Sequence, residues 1–530
     1  MKNCESSTAT GDAVAPTHGI ARISCFFALP IGFLAWLLVY RFLSPLPFYS
    51  FFADPELAYI FSSLELMEFG SVQLDDHPGT ILQIFGALIT AVLNFRIADA
   101  FDPVAVSQFR FAWLLIAVGS MLLVIWMLKD AARPLFTFVA AFLLLFHDFH
   151  ALAFWGRFTP EGAFLSIYFP LTLFAFIIVQ KQRLLTIWQI VGVGLLTGCA
   201  TTVKITLWPV TLFLYFVFWI NDPRPVGLRV RRLALLAGTG VIAYFILGSI
   251  FSLDRGAQLN WFLSLITESG RYGQTSDHGV MLPLAEIFAR FHQGLQLQNY
   301  TTVVPWALLG GLAVSDLFSR SASKRVKILS FGFLLCLLLT FLLYAKHPYQ
   351  IKYLLPQTFL FVLYVLTRLD ERPRLPDRVK MVSLLFLAVA TLNSLATYHV
   401  LHFVTNKRNA AITEKIDTAI NKIEPGVVFF SLEIPHPHMA RAFALREAKR
   451  LAPYLDLEEP KTIIFRERAA TYEQQTGSSL PIDEISSGSL VITTGWFNDT
   501  RTEMIIGDPE LGLFMYYAPP MGNSSLLPKK

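Results

Sequence analysis

Residues 77–95 read HPGTILQIFGALITAVLNF, an apolar run close to the minimum length that crosses a hydrocarbon core. Whether it crosses decides on which side of a membrane every later segment lies, and so which charged residues can share a site. Eleven other apolar runs of about the required length lie at 20–43, 107–128, 134–153, 160–180, 184–203, 205–220, 232–252, 300–318, 326–345, 353–369 and 379–403. The chain of 530 residues is 54% hydrophobic and 15% charged, too apolar for an ordinary soluble domain. These features predict an α-helical polytopic membrane protein with about 11 transmembrane helices.

Charge decides the ambiguous run, because cytoplasmic loops carry the Lys/Arg excess. If 77–95 stays on one side, the basic segments KDAARP (129–134), KQR (181–183), NDPRPVGLRVRR (221–232), SRSASKRVK (319–327) and RLDERPRLPDRVK (368–380) all share the side of the N-terminus. If it crosses, every one of them moves to the opposite side. The run is therefore expected to form an interfacial or re-entrant helix with its backbone hydrogen bonds closed internally. The tail 1–19 is then cytoplasmic, the first run an uncleaved span, and the loop 44–106, with its interfacial helices, extracytoplasmic.

Past His402 the charge rises and the apolar runs shorten. GVVFFSL, KTIIFR, SLVITTG and EMIIG read as strands, and PHMARAFALREAKRLAPYL has helical spacing. The expected organisation is a transmembrane domain at 20–403 and a small extracytoplasmic α/β domain at 404–530. Cys4, Cys25, Cys199 and Cys336 stand at no metal-ligand spacing, which argues against a disulfide framework or structural zinc. The net charge of +5 is dispersed over short loops, and no nucleic-acid motif is present.

The loop ahead of the deciding run is acidic. From Asp54 to Gln83 the chain carries Asp54, Glu56, Glu65, Glu68, Asp75 and Asp76 and no Lys or Arg. Asp54 and Glu56 follow the first span closely and read either as a solvated acidic loop or as a general base for a hydroxyl. Asp75, Asp76 and His77 offer hard ligands to a divalent cation, or an N-cap to the helix that follows. Arg157 precedes Thr159-Pro160-Glu161, where Pro160 and Glu161 suit a first helical turn and Arg157 suits a phosphate. Lys204 stands alone between two apolar spans, either snorkelling to the surface or facing an anionic group. Lys346 and Lys352 in KHPYQIKYLLP raise the same choice, and Arg271 sits in a long polar loop on the same expected face. Cations gathered opposite carboxylates are what a phosphate leaving group requires.

The order DPELAY after the first span, DDHPGTILQ opening a surface helix, RFTPEGAFL, GLLTGCATTVKITLWPV and IKYLLP resembles the integral-membrane glycosyltransferases of the GT-C superfamily, in particular the protein-mannosyltransferase and aminoarabinose-transferase branch. The resemblance covers roughly residues 20–370. It implies a GT-C-like fold, a polyprenyl-phosphate-linked sugar donor, an extracytoplasmic site under the first loop, and inversion at the anomeric carbon. It also implies a hexosyl or pentosyl transfer to a lipid, glycan or protein acceptor, and places the acidic base of that loop at Asp54 or Glu56. Relatives carry adjacent acidic residues where this chain has DPE, so both carboxylates stay candidates. Arg157, Lys204, Arg271, Lys346 and Lys352 are the candidate phosphate-binding residues, and Asp75, Asp76 and His77 the candidate metal ligands. The expected location is a bacterial inner membrane. Two other classes fit the composition: a transporter or flippase of a lipid-linked or anionic substrate, and a catalytically inactive GT-C-like binding subunit.

Overall fold

The structure is a computed structural model that describes residues 56–72, 80–128, 149–181, 183–204, 207–250, 300–346, 355–371, 377–431, 434–447, 449–454, 461–465, 471–473, 479–481, 487–494 and 502–519, with isolated positions at 35, 38, 137, 142, 143, 146, 283, 285–289 and 292. It is mostly helical. The helices are α1 (Glu56–Phe69), α2 (Thr80–Leu93), α3 (Pro103–Leu128), α4 (Phe149–Phe154), α5 (Pro160–Gln180), α6 (Ile187–Val203), α7 (Trp208–Asn221), α8 (Val226–Ile250), α9 (Tyr300–Phe318), α10 (Lys324–Lys346), α11 (Gln357–Glu371), α12 (Asp377–Ile423) and, in the C-terminal part, α13 (Pro437–Glu447).

Among the described residues four helical segments are long and apolar enough to cross a membrane: Val104–Leu128, Pro160–Gln180, Val226–Leu247 and Lys324–Leu343. Ile187–Val203, Trp208–Asn221, Trp306–Phe318 and Gln357–Arg368 are shorter apolar helices at positions where the sequence reads as spans. The deciding run becomes α2, whose 14 residues measure about 21 Å. The 14 residues of α7 are as short, so length alone does not set α2 apart from the runs that read as spans. One face of α2 is used for packing. Gly86 lets α2 lie against α1, where a Cβ would come within 2.6 Å of the Phe158 ring, and Gln83 Nε2 donates to Ser62 Oγ at 2.7 Å.

Helix starts follow local chemistry. Thr159 caps α5 by accepting the Gly162 N–H at 3.2 Å, with Pro160 in the first turn. Thr186 and Gln189 form a capping box that opens α6, with reciprocal bonds of 3.2 and 2.9 Å. Helices α6 and α8 then approach closely through Gly194 and Gly198, a small-xxx-small spacing. A Cβ on Gly198 would lie 2.8 Å from that of Ala243 and closer still to the Gly240 carbonyl. Gly198→Leu is therefore expected to lower the melting temperature sharply or abolish a monodisperse peak in detergent chromatography. Gly192→Ala, at a position with open space around it, should leave both unchanged. On the far side of the bundle Arg368 pairs with Asp316, Nη2 to Oδ1 at 2.7 Å, joining α11 to α9.

The expected boundary near residue 404 falls inside one continuous helix. α12 runs 47 residues, about 70 Å. Its first half has Tyr398 in the main apolar core, and its second half puts Ile412, Ile416 and Ala419 into the core of the α/β part. The change in composition marks a change in the helix's surroundings, not a break in the chain. The strands are β1 (Val427–Ser431), β2 (Lys461–Phe465), β3 (Thr471–Glu473), β4 (Ser479–Pro481), β5 (Ser489–Thr493), β6 (Glu503–Asp508) and β7 (Leu513–Ala518). The main sheet has the order β2-β1-β5-β7-β6, with β1 parallel to β2 and β5 and the β5-β7-β6 pairs antiparallel. β1 is apolar on both faces because both are covered: Val428 and Phe430 meet α12, while Phe429 packs with Val491, Phe514 and Tyr516.

Candidate functional site

The loop WGRFTPE (155–161) lies beside two charge pairs at one end of the bundle, in which Arg110, 24% exposed, is the one member that is not buried. Glu56 begins α1 and is 7% exposed. Its Oε2 meets Arg110 Nη2 of α3 at 2.6 Å, and its Oε1 accepts the Phe158 N–H at 3.1 Å. Phe158 is fixed by edge-on contact with Phe109 and Trp113, ring centres 4.8 and 5.2 Å away, while Trp113 Nε1 donates to the Arg157 carbonyl at 2.6 Å. Burial by itself raises the Glu56 carboxyl. Arg110, then Arg157, then the Phe158 N–H outweigh it and hold the group below the ordinary carboxylate range. Glu56 is therefore a poor proton acceptor and a good anchor.

The second pair joins Lys204 to Glu161. Lys204 closes α6 in extended conformation, and its ammonium donates to Glu161 Oε1 in the first turn of α5. Both are buried, at 5% and 0% exposure. Lys204 thus does not snorkel; Glu161 does more than serve the helix dipole. The ammonium also stands 6.0 Å from the centre of the Phe164 ring, which meets Phe359 at 6.1 Å. That contact brings in the start of α11, where Gln357 is 0% exposed and, among the described residues, its carboxamide has no hydrogen-bond partner. α10 and α11 run antiparallel, Ser330 meeting Tyr364 and Phe333 meeting Phe361, so Lys346 ends α10 at the same end as Gln357. The side chain of Lys346 lies outside the described residues, as do Asp54, Asp75, Asp76, His77, Arg271 and Lys352.

The structure therefore brings Glu56 to Arg157 and places Lys204 beside Glu161. Sequence reasoning passed over Arg110, although a lone cation a few residues into an apolar helix meets the same criterion that singled out Lys204. Gln357 leaves no sequence signal, since an amide at a helix start is ordinary. Among the described residues no group of three His, Cys, Asp or Glu side chains could hold a metal ion.

The C-terminal part sits against α1. α13 packs on α1, and Arg450 in the 3-10 turn Lys449–Tyr454 donates to the Ser71 carbonyl at 2.6 Å and to Ser71 Oγ at 3.0 Å. Its guanidinium lies 4.9 Å from the Phe69 ring centre and its Nε 3.7 Å from the buried Glu65. Eleven consecutive residues of α1, Glu56 to Leu66, are buried, which suits a helix enclosed from all sides.

Close to this junction, His436 in the loop after β1 meets Asp417 of α12 at 3.1 Å and stacks on Phe430 and His438, each 5.1 Å between ring centres. Burial, aided by His436 and Arg441 and opposed by Asp417, pushes His438 down to about 4. Burial also lowers His436 against the pull of Asp417, which is itself held low chiefly by its hydrogen bond to His436. Both imidazoles are thus kept neutral in the fold at pH values where an unfolded chain protonates them. Stability should fall as pH drops from about 6.5 toward 4, a window above the one in which Asp417 titrates. Melting curves at pH 7, 5.5 and 4.5 check this, and His438→Gln should flatten the decline.

No protein-family model, curated protein or solved structure matches this chain.

Proposed function

We propose that the chain is an integral-membrane glycosyltransferase of GT-C type, moving a sugar from a polyprenyl-phosphate donor to an acceptor hydroxyl at the bundle end where Glu56, Arg157, Glu161 and Lys204 meet. The observation that carries this reading is the buried charge cluster there. Arg110 and Arg157 stand by Glu56, and the buried Lys204 stands by Glu161. Guanidinium and ammonium groups gathered at one bundle end and partly shielded from water are the groups that bind a phosphate anion. The resemblance in the order of motifs supports the sugar donor, the basic-loop asymmetry an extracytoplasmic site, and the number of apolar runs about 11 spans, while the short cytoplasmic loops and the lack of cysteine outside support a bacterial inner membrane.

In the proposed reaction the acceptor hydroxyl gives its proton to a carboxylate as its oxygen attacks the anomeric carbon. The bond from that carbon to the lipid phosphate breaks, the phosphate keeps the electron pair, and the configuration inverts. Asp54, two residues ahead of α1, takes the base role, because Glu56 is engaged at both oxygens and held low. Glu56 positions the start of α1. Lys204 shares its ammonium between Glu161 and the departing phosphate. Lys346, Arg271 and Lys352 join the phosphate site by sequence position, and Asp75, Asp76 and His77 offer ligands to a cation through which no step is routed.

Gln357 provides the test. A buried amide without a partner costs about 1–3 kcal/mol, which a bound donor repays by hydrogen bonding. Polyprenyl phosphate should raise the melting temperature of the parent protein. Gln357→Leu should melt no lower than the parent without lipid, and show less than half of the lipid-induced rise. A variant that melts lower and keeps the full rise would make Gln357 structural and remove it from the donor site.

A further inference from the structure

A second site lies at the other end of the same helices. α5 leaves the Glu161 end and, over 21 residues, travels about 32 Å before the chain turns into α6. The turn from α7 into α8 lies at the same level, so residues 183–185 and 221–222 line one pocket. The pocket is lined by Arg183, Arg229, Arg232, Asp222, Asn221 and Trp219 together with aliphatic side chains of α5, α6 and α8. Asp222 is already taken: it accepts from Arg224 Nε at 3.2 Å and from the Arg224 N–H at 3.0 Å, and pairs with Arg232 Nε at 3.3 Å. Arg232 also donates to the Leu185 carbonyl. Arg183 and Arg229 pair with no carboxylate among the described residues. Arg229 lies 5.2 Å over the Trp219 ring, and its Nε is buried without a partner among those residues. Asn221 donates to the Val217 carbonyl at 2.6 Å, but its Oδ1 is buried with no hydrogen-bond partner among the described residues.

We propose that this pocket binds the headgroup of an anionic phospholipid, with the phosphate on Arg183 and Arg229 and a headgroup hydroxyl donated to Asn221 Oδ1. Two arginines without acidic partners supply the charge, and the planar guanidinium matches a phosphate diester. The orphaned acceptor selects a headgroup that carries a donor, as glycerol does, and the surplus positive charge disfavours one that ends in an ammonium. The surroundings suit acyl chains. Leu184, a lining residue, is 43% exposed, and Trp188 and Val226, at the starts of the adjoining helices, are 83% and 57% exposed. An exposed Trp at a helix start fits the headgroup level of a bilayer.

The test uses the full chain in mixed nanodiscs of phosphatidylglycerol and phosphatidylcholine, with retained lipid read by native mass spectrometry. The parent protein should retain phosphatidylglycerol at least fivefold over phosphatidylcholine, and Arg183→Gln/Arg229→Gln should lose that preference while Arg229→Lys keeps part of it. A melting curve on each variant separates lost binding from lost fold, and the preference of the parent protein stands independently of any variant. Equal retention of the two lipids by the parent, or undiminished preference in a folded double variant, would overturn the proposal. So would an inorganic phosphate adduct that forms on the parent with no lipid preference, since that outcome makes the pocket a site for free phosphate. Because the pocket's lining begins about 26 Å along α5 from Glu161, failure here and failure of the transferase reading are separate results.

Discussion

Lys204→Met is expected to lower sugar transfer from a polyprenyl-phosphate donor by about 10²–10³-fold, the range seen when one group that stabilises developing negative charge is removed. It should also cost about 3–5 kcal/mol of stability, because Glu161 is left as a buried carboxylate without its cation. The double variant Lys204→Met/Glu161→Leu separates the two effects. Removing both charges returns most of the stability, as replacement of buried ion pairs by apolar side chains often does. Transfer should stay at the level of the single variant. If the double variant recovers activity along with stability, the pair is purely structural and the phosphate site lies elsewhere. Activity and melting temperature measured on the same three preparations decide it.

Asp54→Asn carries the second large effect, a loss of about 10²–10⁴-fold in transfer with little change in melting temperature, the range that loss of a general base gives. Glu56→Gln should behave in the opposite way. It removes the charge that meets Arg110 and weakens the bond from the Phe158 N–H, so it should cost on the order of 1–3 kcal/mol of stability. Its transfer rate should fall less than that of Asp54→Asn. A folded Glu56→Gln protein that loses all transfer, beside an active Asp54→Asn, would exchange the two roles. The contrast is sharp because the environment of Glu56 lowers its basicity, the reverse of what a general base near neutral pH requires.

The helical runs were legible because a span must be continuous, apolar and long, and each of these properties is local. The described helices from α3 to α11 begin and end within a few residues of runs visible in the sequence, apart from 134–153, of which the continuous described part is Phe149–Phe154. α2 was harder, since its length alone is ambiguous, and only the distribution of Lys and Arg over distant loops argues that it stays on one side. Four strands of the α/β part were visible as short apolar runs, but β7, LFMYYA, was not, lying beside a turn in a segment with weak alternation. The continuity of α12 was hidden for a related reason: its second half is polar where it leaves the bundle, and composition reports surroundings, not hydrogen bonding.

The site was legible only in part. Glu56, Arg157 and Lys204 attract attention as charges next to apolar runs, and the structure confirms that all three are buried. Their partners are set by tertiary packing. Arg110 reaches Glu56 across 54 residues of sequence, and Glu161 reaches Lys204 across 43, distances over which no periodicity carries information. Arg450 is further still from Ser71, 379 residues away, and only the fold reveals that the C-terminal part rests on the helix that begins with Glu56.

The most direct measurement follows a polyprenyl-phosphate sugar, labelled in the sugar, in proteoliposomes that contain the purified protein and an acceptor-bearing membrane extract. Sugar transfer predicts that the label leaves the lipid, appears on acceptor in inverted configuration, and leaves polyprenyl phosphate behind in equal amount. A donor that stays intact and only changes leaflet would make the protein a flippase, and a donor that stays intact and in place would leave it a binding subunit. Either result contradicts the account.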